Sequence, residues 1–182
     1  MVLFHGTNEI GAISIVENGI NLKKGLSFTD FGKGFYATKD PEFAWSCGKR
    51  KLDTRTESRI AVIKFEFNLD AASPLIRLFD PANGGYNLEW AQFIANNRCG
   101  PSYVKAIGAT DHNLDFRYAI CRGNTADGDV TDFTKKLSKE KRPVRVDEVS
   151  IFMRDRRQQY PEQFTFHTEE ALRYISKIER VI

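Results

Sequence analysis

The sequence predicts an α+β domain, and two observations predict the class. Short apolar runs with the character of strands outnumber strong helical patterns. Several helical segments are short, which favours α+β over a doubly wound sheet. The 182 residues are about the size of one domain, so residues 1–182 are read as a single unit.

The elements follow in chain order. Val2-Leu3-Phe4-His5 reads as a short strand. Residues 9–17 carry Ile10, Ile13 and Val16 at helical spacing, and Asn18-Gly19 is a C-terminal stop. Phe35 to Thr38 is a short strand. Asp40-Pro41 is an N-cap followed by proline at the first helical position, so residues 41–48 are expected to be helical. Residues 60–67 give the clearest strand, with Ile63, Phe65 and Phe67 alternating against Val62, Lys64 and Glu66. Residues 75–79 form another apolar run. Residues 88–97 are a helix with Trp90, Phe93 and Ile94 on one face. Residues 104–109, 150–154 and 163–167 read as strands, and residues 169–178 as a helix bearing Leu172 and Ile175. The stretch 123–128 reads as a surface turn. No internal repeat is visible.

Composition narrows the class. Apolar residues make up 41% of the chain, enough for one sizeable core, and 28% are charged, which is ordinary for a soluble surface. The net charge of +3 permits an acidic or nucleic-acid partner without arguing for one. Cys47, Cys99 and Cys121 are odd in number and lack metal or redox spacing, which fits a reducing cytoplasm without a disulfide framework. No signal-peptide pattern opens the chain, and no apolar run nears the roughly 20 residues needed to span a bilayer. The expectation is a cytoplasmic protein with no membrane partner. His112 has no Cys or His partner at metal spacing, so no metal site is expected. Walker loops, nucleophile elbows and the dinucleotide-binding strand–turn–helix fingerprint do not occur.

Two segments carry the chemistry. His5-Gly6-Thr7 ends the first strand, and Asp30-Phe31-Gly32-Lys33-Gly34-Phe35-Tyr36-Ala37-Thr38 follows about thirty residues later. Together they supply an imidazole that can bond a hydroxyl, a backbone without a side chain, and an aromatic plate. That set suits a flat, polar, dinucleotide-like ligand. Each part alone has a simpler reading: His5 as a strand-end histidine, Tyr36 as a half-buried strand aromatic, the glycines as a turn. The order and spacing of the two segments favour the functional reading.

These motifs, with Ile15-Val16-Glu17-Asn18-Gly19-Ile20, Ala44-Trp45-Ser46-Cys47, Glu89-Trp90-Ala91-Gln92-Phe93 and the tail residues 162–172, resemble the ADP-ribosyltransferase superfamily. The nearest pattern is the poly(ADP-ribose) polymerase and diphtheria-toxin branch, whose signature is His, Tyr and Glu on three strands. The chain is also similar to a bacterial domain family of unknown function in that superfamily. Its members tend to be small proteins, sometimes encoded beside antitoxin-like partners. The resemblance implies a split β-sheet fold with short flanking helices and NAD as substrate. His5 would bond a ribose hydroxyl, the Gly6 backbone would hold the nicotinamide carboxamide, Thr7 would offer a hydroxyl, and Tyr36 would stack on the nicotinamide ring. Asp30, Phe31 and Gly34 would line the pocket. The implied activity is transfer of ADP-ribose to a protein or nucleic-acid acceptor, with a toxin–antitoxin pair as the setting. NAD hydrolysis and non-catalytic binding of NAD or ADP-ribose are the alternatives.

The departure lies at the third position. Gln163 stands where the family has its catalytic Glu, and Glu162 is one residue earlier. Strand neighbours point to opposite faces, so Glu162 should face away if Gln163 faces the cleft. A carboxylate about 4 Å from a unit positive charge contributes roughly 4 kcal/mol at an effective dielectric near 20, on the order of a thousandfold in rate. Gln supplies no such charge, but it can orient a ribose hydroxyl. Three readings stay open: Gln163 positions ribose while Glu89 supplies charge; Glu162 enters the cleft through a bulge; or the site binds without transfer. Glu89 also reads as a helix N-terminal acid favoured by the macrodipole, and Arg98 as the partner of a surface acid. By alternation His167 shares a face with Gln163 and Thr165. Lys135, Lys136, Lys139, Lys141, Arg142 and Arg145, then Arg154, Arg156 and Arg157, read as a solvated face or a polyanion patch.

Overall fold

The chain folds as an α+β domain around one mixed sheet of seven strands. The computed structural model describes residues 1–50, 52, 59–79, 85–153 and 161–181. The strands are β1 (Val2–Asn8), β2 (Phe35–Thr38), β3 (Ile60–Phe67), β4 (Ile76–Leu78), β5 (Ile120–Asn124), β6 (Glu162–Phe166) and β7 (Ile175–Arg180). Their order across the sheet is β4-β5-β6-β2-β1-β3-β7. All neighbours are antiparallel except the parallel pair β4–β5. β1 and β3 stay in register from Val2↔Glu66 to Asn8↔Ile60, whereas β1 and β2 share the single pair Phe4↔Thr38. The sheet is therefore most weakly joined at its centre.

Strand alternation feeds two cores. Ile63, Phe65 and Phe67 of β3 meet Leu3, Phe35, Phe164 and Phe166 on one face. Phe67 stands edge-on to Phe166, with centroids 5.1 Å apart. On the other face Phe31, Phe79, Trp90, Phe93, Phe133 and Phe152 pack together. Successive residues of β5, Ile120 and Cys121, enter the two cores separately.

The helices are α1 (Glu9–Asn18), α2 (Pro41–Lys49), α3 (Leu69–Ala72), α4 (Leu88–Cys99), α5 (Pro101–Ile107), α6 (Val130–Glu140) and α7 (Glu169–Leu172). Local chemistry fixes several starts. Asn8 caps α1 through the Gly11 N–H, Asp40 caps α2 through the N–H groups of Glu42 and Phe43, and Asn87 caps α4 through the Trp90 N–H. No helix among the described residues is long and apolar enough to cross a membrane.

The structure corrects several sequence expectations. Residues 104–109 form no strand; Pro101 at the first turn starts α5 and Gly108, in the left-handed region at φ 66°, stops it. Residues 169–178 divide into α7 and the strand β7. A register shift in the β3–β7 pairing, with Lys177 at φ 50°, puts Ile175 and Ile178 on one core-facing side. That spacing mimics a helix. Residues 146–152 wind as a 3₁₀-helix where a strand from 150 was expected, and Arg154, Arg156 and Arg157 lie outside the described residues. Residues 123–126 are buried, not a surface turn. The α1 helix exists, but Ile10, Ile13 and Val16 are exposed and Ala12 is its buried residue. The basic run 135–145 hides α6, whose Val130, Phe133, Thr134 and Leu137 are buried at helical spacing. Its lysines face solvent, and Arg142 is clamped by Glu140 and Glu148.

Candidate functional site

A cleft of about 570 Å³ lies at the weak β1–β2 junction, in the size range of small-molecule sites. It gathers His5, Gly6, Thr7, Asp30, Gly34, Tyr36 and Gln163 from residues far apart in sequence. Register explains part of this: Thr38 pairs with Gln163 and Tyr36 with Thr165, so Tyr36, Thr38 and Gln163 share one face of β2 and β6.

His5 is buried and stacks on Phe35, with ring centroids 4.2 Å apart. Its Nδ1 lies 2.6 Å from the Tyr36 carbonyl. A carbonyl only accepts, so Nδ1 carries a proton. One hydrogen bond thus ties the two sequence motifs together and orients the imidazole.

Tyr36 is half-buried, and its hydroxyl is fully engaged away from solvent. It lies 2.8 Å from the Gly32 carbonyl and 2.9 Å from Thr29 Oγ1, and it accepts the Phe31 N–H at 2.9 Å. Gly32 takes φ 88° to aim that carbonyl, a conformation that side chains disfavour. Burial, helped by the Asp30 charge, holds the phenol well above its ordinary value, so it stays protonated. What Tyr36 offers the cleft is its ring.

Asp30 is the carboxylate buried in the cleft wall. Arg98 from the last turn of α4 reaches its Oδ1 through Nε at 2.7 Å and Nη2 at 2.6 Å. Its Oδ2 accepts the Gln163 Nε2–H at 3.0 Å and the Ala126 N–H at 3.2 Å. Burial opposes the charge of Arg98, but the Asp30 carboxylate outweighs it and the guanidinium pKa rises. The pair is electrically neutral toward the cleft. Lys24 and Arg50 line the same cleft and are exposed.

Three expected residues are placed elsewhere. Phe31 lies in the core against Phe79 and Phe93, not in the cleft lining, and acts as the peg that fixes the Asp30 turn. Glu89 is exposed at the start of α4, paired with Arg77 and outside the cleft lining. Glu162 does not enter through a bulge: β6 runs in unbroken register with β5, and Lys39 at 2.8 Å and Arg122 at 2.6 Å hold its carboxylate.

The family model that matches this sequence carries the description Protein of unknown function (DUF3990) and spans residues 1–176. The chain belongs to that family. No curated protein and no solved structure matches it. Every cleft residue named above falls inside the DUF3990 match.

Sequence reasoning missed Lys24, Arg50 and the true partner of Arg98. The signal for Arg98 was the polar run Asn96-Asn97-Arg98 directly after the apolar stretch Phe93-Ile94-Ala95. Asn97 is buried, bonds the Asp30 carbonyl at 3.4 Å and accepts the Asn113 N–H at 2.8 Å.

His167 follows β6 beside the cleft strands. Its Nδ1 donates to the Lys33 carbonyl at 2.9 Å, while Nε2 is buried without a hydrogen-bond partner. Burial lowers its pKa from the ordinary 6.5 to about 4. The unfolded chain therefore takes up a proton that the folded one refuses. Stability contributed by neutral His167 is complete above pH 6.5 and is lost as pH falls toward 4, by about 3 kcal/mol in all. Urea midpoints of wild type and His167→Gln between pH 7 and 4 check this, and the variant should fall less steeply. Parallel curves would rule out the assignment.

Proposed function

We propose that this cleft binds NAD and that the protein transfers ADP-ribose from it to a macromolecular acceptor. The observation that carries the reading is the His5 Nδ1 bond to the Tyr36 carbonyl at 2.6 Å, which joins the two resemblance motifs in the wall of one 570 Å³ cleft. His5 Nε2 would accept a ribose hydroxyl, the Gly6 peptide would hold the nicotinamide carboxamide, and the Tyr36 ring would stack on the nicotinamide. Lys24 and Arg50 supply positive charge for the diphosphate. The bond from nicotinamide nitrogen to ribose carbon breaks, nicotinamide leaves with the electron pair, and an acceptor nucleophile takes the ribosyl carbon. On this reading the domain has an ADP-ribosyltransferase-like fold and works in a bacterial cytoplasm as a toxin held by an antitoxin protein.

The test is transfer of etheno-labelled ADP-ribose by wild type, His5→Ala and Tyr36→Ala. Each substitution should lower transfer at least tenfold, about 1.4 kcal/mol of transition-state binding. Undiminished transfer in both would end the site assignment. Toxicity on expression, absent in His5→Ala, checks the setting.

A specific observation favours binding without transfer, or slow hydrolysis, as the second reading. Gln163 is neutral, and all the acceptor capacity of Asp30 is directed at Arg98, Gln163 and the Ala126 N–H. Calorimetric NAD binding without nicotinamide release would select binding alone; nicotinamide release without labelled acceptor would select hydrolysis.

A further inference from the structure

We infer that Asp30 is a positioning residue that sets the hydrogen-bond polarity of the third position, holding Gln163 so that it meets the ligand as an acceptor of a hydroxyl proton. The proposal rests on the reading of the cleft as a site for a ribose-bearing ligand.

The argument starts from the Gln163 amide. Gln163 is 6% exposed and lines the cleft. Its Nε2 lies 3.0 Å from Asp30 Oδ2 and 3.5 Å from the Asn124 carbonyl. Both neighbours are acceptors only. Reversing the amide would set Oε1 against two acceptor oxygens, so the neighbours themselves dictate which end turns inward. Oε1 is the end left for the cleft. A ligand group meeting it must bring a hydrogen to donate, as a sugar hydroxyl does and an ether or deoxy carbon does not.

Asp30 can play this part because its own orientation is fixed. Arg98 occupies Oδ1 from one side, and the Ala126 N–H shares Oδ2 with Gln163. The Phe31 side chain, seated between Phe79 and Phe93, pins the adjoining backbone. The arrangement also explains why a neutral residue occupies the third position. A glutamate at 163 would bring a second carboxylate to Asp30, with one guanidinium to serve both.

Asp30→Asn gives a distinct outcome. The asparagine has one acceptor oxygen, and the two charged donors of Arg98 outcompete the single Ala126 N–H for it. Its NH₂ then faces Gln163, whose amide reverses and presents Nε2–H₂ to the cleft. The site changes from acceptor to donor.

Isothermal calorimetry with NAD and with an analogue whose 2′ hydroxyl on the nicotinamide ribose is replaced by fluorine, which can accept but not donate, tests this. Wild type should prefer NAD by roughly tenfold, the effect of leaving one buried acceptor unmet. Asp30→Asn and Gln163→Ala should both bring the ratio near one, and the double variant should add nothing further. A purely structural role for Asp30 would weaken both ligands alike and leave the ratio intact, which would overturn the proposal. Equal binding of the two ligands by wild type would overturn it as well. Wild type binding neither would remove the NAD reading itself, a separable result. Should Asp30→Asn fail to fold, Gln163→Ala still tests the ratio, and amide exchange in wild type tests the orientation. The Gln163 side-chain NH₂ must then exchange slowly, and fast exchange would overturn the proposal.

Discussion

Arg98→Ala is expected to destabilise the domain by about 3–5 kcal/mol, the cost of leaving one member of a buried ion pair uncompensated. Asp30 is 5% exposed, and Arg98 supplies both donors to its Oδ1. Removing them strands a carboxylate whose remaining donors, Gln163 and the Ala126 N–H, carry no charge. The protein cannot easily relax around the loss. The Asp30 turn is held by Phe31 in the core, by the Tyr36 hydroxyl and by Asn97. Glu89→Ala is the matched control. That residue is exposed, and its partner Arg77 keeps Asp111 at 2.9 Å, so the loss should stay within about 1 kcal/mol. Urea denaturation of both variants at neutral pH decides the matter. Equal costs would show that the Asp30–Arg98 pair lacks the weight assigned to it.

The same residues show where sequence was readable and where it was not. Elements with local punctuation were legible: Asp40-Pro41 opened α2, Asn18-Gly19 closed α1, and the alternation of residues 60–67 gave β3. Errors fell where spacing served two geometries. Ile175 and Ile178 are three apart, which reads as helix, and only the register shift against β3 makes them strand neighbours on one side. The cleft was legible in its motifs, because His5-Gly6-Thr7 and Gly34-Phe35-Tyr36 each place several cleft atoms within a few residues. The Asp30–Arg98–Gln163 cluster was not. Its members are 68 and 133 positions from Asp30 in sequence, and only β2–β6 pairing and the docking of α4 bring them together. Arg98 looked like a surface cation because nothing local to α4 marks its partner.

Gly6→Ala should be the most disruptive Gly→Ala change among the described residues. A Cβ built at Gly6 would lie 1.6 Å from the Ala44 carbonyl oxygen and 2.7 Å from the Gly48 nitrogen. Both are backbone atoms of α2, so no rotamer can relieve the clash. Gly48 also approaches β1, with a built Cβ 2.9 Å from the Thr7 carbonyl oxygen. Helix and strand thus meet backbone to backbone, and α2 must lift off β1 to admit a methyl. Overpacking against side chains costs typically 1–3 kcal/mol; against backbone the cost should exceed about 3 kcal/mol. Gly108→Ala separates this steric effect from backbone strain. That site has φ 66° and nothing within 4 Å of a built Cβ, so it should cost only about 1–2 kcal/mol. Because Ala44, Cys47 and Arg50 of the α2 segment line the cleft together with Gly6, lifting α2 also opens its wall. On the proposed NAD reading, binding in Gly6→Ala should fall even at temperatures where the variant stays folded, while Gly108→Ala, outside the cleft lining, binds as wild type. Thermal melts and calorimetry on the two variants measure both effects. A Gly6→Ala protein that melts and binds like wild type would refute the close α2–β1 contact on which the cleft wall depends.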